Sequence, residues 1–262
     1  MHKAFIVSSF TLNGVGGNKA GVVFESVDDS MKQLIAKELG FSETVFVEGN
    51  RFRYFTPNSE INFCGHATLA ALSLMDYEEL NIETNEFTIK AYKDPVPRFK
   101  TDNGKVINQP IDEESVLRSL GITYTDVGSY GMDIVYAGLN DLFIHVNDLS
   151  RVVPDYRLIS KMSEELNVVG YHIYSLHDEY DANTRNFAPL YDIDEESATG
   201  SANAGLAYLL SLKNPKKKYR FLQGEAMNEL SEIIIVIDNG IYISGEASLL
   251  GTVSVGGKNV KA

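Results

Sequence analysis

The sequence has no tryptophan, a single cysteine and only five histidines. With one cysteine, Cys64, no internal disulfide can form. A disulfide-stapled secreted scaffold is therefore excluded, and a reducing, cytoplasmic setting is expected. The histidines are scattered and show no HxH, HExxH or Cys/His spacing, so no metal site is expected. Long apolar runs are missing as well. The longest aliphatic stretch, Ile233 to Ile237, has the length of a strand and falls far short of the ~20 residues of a spanning helix. Phe5-Ile6-Val7 is too short for a signal-peptide core. No membrane partner is expected. Positive charge is in deficit: 23 Lys and Arg against 36 Asp and Glu leave a net charge of −13. Nucleic acid is thereby disfavoured as a partner, because its binding draws on neutralised phosphates. The one basic run, Lys216 to Lys218, follows Pro215 and reads as a solvated loop.

What is present suffices for a sizeable core. Hydrophobic residues make up 44% of the 262, a length that fits one large domain or two of about 130 residues. Two halves of the chain match. Arg53-Tyr54-Phe55-Thr56-Pro57 parallels Arg185-Asn186-Phe187-Ala188-Pro189 at an offset of 132, and Cys64 to Ala70 parallels Thr199 to Gly205 at 135. Upstream, Glu38-Leu39 before Thr44 to Val47 parallels Glu165-Leu166 before Tyr171 to Tyr174, at 127. Asn18 and the run to Phe24 parallel Asn140 and the run to Val146, at 122. Four matches in one order, with steadily drifting offsets, read as two repeats joined near residues 112–128. The domains expected are residues 1–115, with a closing strand from the C-terminus possible, and 116–262.

Each repeat mixes strands and helices. Phe5 to Phe10 and Val22 to Phe24 read as strands, and Val45 to Val47 with Arg51 to Phe55 as a hairpin around Gly49-Asn50. Met31, Leu34, Ile35 and Leu39 have helical spacing, bounded by Asp29 or Ser30 and by Gly40. Asp112 to Leu120 fits a surface helix closed by Gly121. Gly65–Tyr77 and Gly200–Leu212 are apolar all round, the mark of a buried helix. Two such helices, each wrapped by strands, give an α+β fold of two pseudo-symmetric lobes with a cleft. The helix starts offer free N–H groups and a positive dipole end, and Gly65 and Gly200 allow close approach. A small anionic ligand, such as a carboxylate, suits them; ordinary caps on core helices are the plainer reading.

Several motifs carry a family resemblance. Ser42-Glu43-Thr44, Arg53 to Pro57, Cys64-Gly65-His66-Ala67-Thr68-Leu69-Ala70 and Ala198-Thr199-Gly200-Ser201-Ala202 resemble those of the phenazine-biosynthesis-like (PhzF-type) family. Gly17-Asn18, Gln223-Gly224 and Gly245 fit its pattern too. The resemblance implies a diaminopimelate-epimerase-like fold, each lobe a curved sheet or barrel around a central helix. It also implies an isomerase that moves a proton without any cofactor, on a small anionic substrate, and frequently a homodimer. Phenazine production is not implied.

Carried over residue by residue, Glu43 matches the family's acid/base glutamate. Read without the resemblance, it is a solvated strand-start carboxylate or a cap. Burial by Phe41 and Phe46 is expected to raise its pKa toward neutrality. His66 would orient or stabilise the substrate, and Ser201 would hydrogen-bond it. Glu196 stands where the family usually has aspartate, with Ser197 replacing proline. Gly65, Ala67, Asn18, Thr199, Gly200 and Ala202 complete the expected binding set. Lys19 departs from the usual proline, and Glu229-Leu230 from the frequent Arg-Pro. Cys64 is expected to be a small packed residue dispensable for chemistry, since its partner position is Thr199 and no second thiol exists. Two alternatives remain in view: a thiol-type racemase or epimerase, and a silent small-molecule-binding protein on the same scaffold.

Overall fold

A computed structural model describes residues 1–94 and 96–256. The chain divides into two compact units, Met1–Lys100 together with the chain from Ser244, and Thr101–Ile243. The 115/116 boundary expected from sequence would fall inside helix Glu113–Ser119, which lies wholly in the second unit. That helix packs its buried Val116 and Leu117 into the second unit's core.

The first unit runs β1 (His2–Thr11), β2 (Asn18–Val23), α1 (Asp29–Leu39), β3 (Glu43–Glu48), β4 (Arg51–Phe55), β5 (Glu60–Ile61), α2 (Gly65–Leu74), β6 (Glu79–Glu83), β7 (Thr88–Tyr92) and into β8 (Arg98–Thr101). The second runs β9 (Lys105–Ile107), α3 (Glu113–Ser119), β10 (Val127–Tyr136), β11 (Asn140–Val146), α4 (Tyr156–Leu166), β12 (Tyr171–Leu176), β13 (Ala182–Ala188), β14 (Ile193–Glu196), α5 (Gly200–Ser211), β15 (Lys218–Gln223), β16 (Ser231–Ile237) and β17 (Ile241–Ser244). Then β18 (Glu246–Val255) returns to the first unit.

The order of pairings is the same in both units. An antiparallel hairpin, β1–β2 or β10–β11, is followed by an outer helix and a parallel neighbour, β3 or β12. An antiparallel strand and a short one follow, β4–β5 or β13–β14. After the central helix comes a strand parallel to β4 or β13, then an antiparallel return. Each first strand also gains an antiparallel partner. It is β9 for β10 and the C-terminal β18 for β1, so the closing strand from the chain end is present.

The central helices are buried because they have no polar side. In α2 every residue from His66 to Leu72 is buried. In α5, Ala202 to Ala207 are buried together with Leu209 and Leu210. Helix α2 packs against β1, β2, β3 and β18, and α5 against β10, β11 and β16. The outer helices instead cover the other sheet face through one apolar stripe. Ile35 and Ala36 of α1 join Ala4, Val23, Phe46, Phe55 and Val255. Ile159, Met162 and Leu166 of α4 join Leu142, Ile144, Tyr171 and Phe187. Their ends follow ordinary capping chemistry: Gly40 (φ 69) and Asn167 (φ 51) close them in the left-handed region, and Asp155 accepts from the Leu158 N–H at α4.

One ion pair is built twice. Arg53 on β4 makes a bidentate contact to Glu60 on β5, 2.7 Å for each bond. Arg185 on β13 does the same to Glu195 at 2.9 and 2.8 Å. Both guanidiniums lie over the ring two residues on, Phe55 at 5.3 Å and Phe187 at 4.9 Å. The Arg-x-Phe motifs were visible in the sequence; their glutamates were not singled out there.

Side-chain facing shifts one expected match. In β2, Val23 faces α1, so Asn18, Ala20 and Val22 face α2. In β11, Leu142, Ile144 and Val146 belong to the α4 side, so Asp141, Phe143 and His145 face α5. The sheet registers pair Gly21 with Thr44 and Leu142 with Tyr171, so Asp141 stands where the first unit has Ala20, and the expected Asn18–Asn140 match is one residue out of register. A period of two makes a one-residue slip reverse the face.

The counterpart of Glu43 is Gly170, just before β12, and it has no room for a side chain. A Cβ there would lie 2.0 Å from the Phe187 carbonyl oxygen. Gly170→Ala is expected to lower stability by at least ~1–3 kcal/mol through overpacking. Urea unfolding monitored by circular dichroism checks this, and an unchanged midpoint would contradict the close packing.

Candidate active site

Each unit carries a polar cluster at the start of its central helix. In the first, Glu43 opens β3 and points to the α2 side, while Thr44 and Phe46 point to α1. Phe46 packs edge-on against Phe55 in the α1 core. It therefore cannot supply the burial expected around the Glu43 carboxylate, because residues three apart on a strand face opposite ways. Glu43 is buried all the same, at 8% exposure, which removes the solvated-carboxylate reading.

His66 lies in the first turn of α2 and is buried. Its Nε2 is 3.3 Å from Glu43 Oε2. On the other side of the ring, Asn18 Nδ2 and Cys64 Sγ each stand 3.3 Å from Nδ1. Burial lowers the His66 pKa, and the Glu43 charge acts in the opposite direction with less effect. The imidazole is therefore neutral near pH 7. Accepting from Asn18 at Nδ1, it carries its proton on Nε2, facing Glu43. Glu43 Oε2 has no well-formed hydrogen bond. A buried carboxylate oxygen left in that condition is costly and is poised to take a proton or a ligand atom.

Three features fix this geometry. Ser9 Oγ donates to the His66 carbonyl at 2.7 Å, tying α2 to β1. Thr68 Oγ1 bonds the Cys64 carbonyl at 2.7 Å and the Tyr54 hydroxyl at 2.7 Å. Gly17 (φ +83) precedes Asn18 in the left-handed region, and a Cβ on it would lie 2.5 Å from the Ser9 carbonyl oxygen. No side chain caps α2 and its first turn holds no acidic residue, so the N–H groups of Gly65, His66 and Ala67 compete with no protein anion of that turn. Cys64 is buried, as expected of a small packed residue, and its sulfur lies 3.3 Å from His66 Nδ1.

In the second unit the cluster centres on a residue that sequence reasoning had noted only as part of a motif. Gln223, at the end of β15 and fully buried, accepts at Oε1 from the Thr199 N–H at 3.1 Å and Asn203 Nδ2 at 2.8 Å. Its Nε2 donates to the Glu196 carbonyl at 2.8 Å and to Thr199 Oγ1 at 3.0 Å. The Thr199 hydroxyl donates in turn to Glu196 Oε2 at 2.5 Å. Glu195 is spent on Arg185, so the adjacent glutamates have different tasks. Ser201 is part-exposed in the first turn of α5, between buried Gly200 and Ala202. Further in, His172 Nδ1 meets Asn186 Oδ1 at 3.0 Å. Burial lowers the His172 pKa to about 4. Inward-facing polar residues on buried strands, such as Gln223 and His172, are the sequence signal that would have found this network.

The comparisons with known proteins bear on these two clusters. The family model described as "Phenazine biosynthesis-like protein" matches residues 7–258. The chain belongs to the phenazine biosynthesis-like family. An uncharacterized isomerase of Clostridium acetobutylicum is 31% identical over 94% of this chain and 95% of its own length. A Bacillus anthracis protein of the PhzF family has the same fold, with a TM-score of 0.84 at 21% identity over 97% of this chain and 98% of its own. A probable proline racemase from Agrobacterium radiobacter superimposes at a TM-score of 0.62 and 13% identity, over 100% of this chain and 94% of its own. The α+β, epimerase-like fold expected from the motifs is therefore the fold of this family member, and its curated relatives are named as isomerases.

Two outcomes follow from the second cluster. Gln223→Leu removes four buried hydrogen bonds and is expected to cost about 1–3 kcal/mol in urea unfolding. Asp141, buried beside the Gly170 N–H, has its carboxyl pushed up to about 7 by burial. Between pH ~4 and 7 the native chain then holds a proton that the unfolded chain releases. Stability from this group is present at low pH and lost as pH rises, by up to ~1.4 kcal/mol per pH unit. Asp141→Asn should flatten that slope in unfolding curves from pH 4 to 8; an unaltered slope would show Asp141 is not its source.

Proposed function

We propose that this protein is a cofactor-independent isomerase that moves a proton on a small carboxylate-bearing metabolite, with Glu43 as the acid and base. The observation that carries this reading is the Glu43 carboxylate itself. It is buried, one oxygen lacks a well-formed hydrogen bond, and it stands against a neutral imidazole at an uncapped helix start. Glu43 would take a proton from one carbon of the substrate and return one elsewhere on the same molecule. His66, donating from Nε2, would hold the carboxylate while it is charged and yield as it becomes protonated. Helix N-termini favour anions, so the N–H groups of Gly65 to Ala67 suit a substrate carboxylate; the start of α5, Gly200 to Ala202 with the Ser201 hydroxyl, offers the same chemistry within its own unit. Asn18 sets the His66 tautomer, and the Glu196–Thr199–Gln223 network sets the start of α5. The shared order of pairings supports a duplicated scaffold in which only the first copy kept an acid.

The test starts from substrate identification. Small carboxylates retained by the purified protein are found by mass spectrometry, then incubated in deuterium oxide and followed by NMR. Glu43→Gln keeps the shape and cannot shuttle protons, so deuterium incorporation should fall by on the order of 10²–10⁴-fold, with folding verified by circular dichroism. Wild-type exchange in this variant would overturn the assignment. Cys64→Ala should retain exchange; if it loses exchange while Glu43→Gln keeps it, a thiol-type epimerase is the better reading.

A further inference from the structure

Three different metal-binding side chains gather around one buried imidazole in the first unit. A carboxylate oxygen of Glu43, the Cys64 sulfur and a His66 ring nitrogen all lie within 4.8 Å of one another, and all three residues are buried. Around His66 Nε2 the separations are 3.3 Å to Glu43 Oε2 and 3.9 Å to Cys64 Sγ. A tetrahedral zinc ion with ordinary bond lengths requires about 3.4 Å between its nitrogen and oxygen ligands and about 3.6 Å between nitrogen and sulfur. The Glu43–His66 pair therefore already has the nitrogen–oxygen spacing of such a site, and the Cys64 sulfur, 3.3 Å from Nδ1 and 3.9 Å from Nε2, completes it by turning about its Cα–Cβ bond toward the Nε2 side. Independently, Glu43 Oε2 is more than nine-tenths buried and has no well-formed hydrogen bond. That is an acceptor aimed into the cluster with its capacity unspent.

We propose that Glu43, Cys64 and His66 form a binding site for one borderline-soft divalent cation of the zinc type, and that the bound cation inhibits the enzyme. A thiolate, an imidazole and a carboxylate together select zinc-like ions over magnesium or calcium, which prefer all-oxygen sites. On binding, the Cys64 thiol releases its proton to solvent and the sulfur takes up the metal bond. His66 changes tautomer: the proton leaves Nε2 for solvent and one is taken up at Nδ1, where the Asn18 amide turns to present its oxygen, so the ring binds the metal through Nε2 in its neutral form. No electron transfer is involved. Inhibition rests on the reading of Glu43 as the base, since a carboxylate held by a metal cannot accept a substrate proton. Binding does not depend on that reading.

The probe is Co²⁺, added to the untagged, metal-stripped full-length protein. A cobalt–thiolate bond gives a charge-transfer band in the near ultraviolet. Cys64 is the chain's one cysteine, so the band can arise nowhere else; cobalt on exposed histidines gives none. The band is expected to saturate at one equivalent per chain, to be displaced by Zn²⁺, and to be absent in Cys64→Ser. Glu43→Gln should weaken binding by more than the ~10-fold that loss of an outer-shell partner costs. Zn²⁺ should also protect Cys64 of the wild-type protein from iodoacetamide, a readout that needs no variant to fold. No saturable band, or zinc that leaves alkylation unslowed, would overturn the proposal. A saturable band from a protein whose proton exchange survives in Glu43→Gln would sink the isomerase role of Glu43 and leave the metal site standing.

Discussion

The constraint on which this structure depends is the burial of two helices that have no polar side. Seven consecutive residues of α2 are buried, and α5 is nearly as apolar. Burying each large aliphatic side chain contributes about 1.5–3 kcal/mol, and a helix apolar all round gains it only when strands surround it. Strands β1, β2, β3 and β18 lie against α2 in the first unit, and β10, β11 and β16 against α5 in the second. The remaining sheet face must then be covered, which α1 and α4 do with a single apolar stripe each. The backbone N–H groups at the start of each central helix are what this arrangement leaves unsatisfied by secondary structure. The polar residues gather there.

The two units solve the same packing problem with different chemistry. The first places Asn18, Glu43 and His66 around the start of α2. At the places of Glu43 and His66 the second has Gly170 and Ser201, and its own buried acid, Asp141, stands where the first unit has Ala20. Gly170 lies too close to the Phe187 carbonyl for any side chain, so no acid can occupy that place. The layer beneath differs as well. Tyr54 spans the first unit's interior to reach Thr68 in one step. In the second, Asn186 is shorter, and His172 intervenes from the neighbouring strand where the first has Val45. The repeated Arg53–Glu60 and Arg185–Glu195 pairs hold the short strands β5 and β14 in the same place throughout.

Polar groups inside such a scaffold must satisfy one another, which explains why the second cluster is a network. Gln223 uses both ends of its amide, four hydrogen bonds in all, and fixes the backbone of Glu196 and Thr199 through them. In the first cluster the carboxylate of Glu43 is left with capacity to spare. The Gln223 amide, with every bond made, rigidifies the start of α5, whereas the Glu43 carboxylate keeps an oxygen with no well-formed hydrogen bond.

The sequence by itself determined the two buried helices, the hairpin around Gly49-Asn50, the outer helix over Met31 to Leu39 and the residues worth watching at the helix starts. Those features are local: apolar periodicity, turn residues and short motifs record them directly. Only the tertiary structure decided which way each side chain faces and what it meets. Phe46 was expected beside Glu43 and packs behind it. Asn140 was matched to Asn18, yet Asp141 faces inward. Glu195 and Glu196 look alike in sequence and are separated by an arginine from another strand. Cys64 is packed as its sequence position suggested, and only the fold shows that its sulfur lies against the His66 ring. Strand alternation decided the first two cases, a contact with a neighbouring strand the third, and the turn into α2 that brings a thiol onto a ring two residues on the fourth; a one-dimensional pattern holds no record of what a side chain will meet.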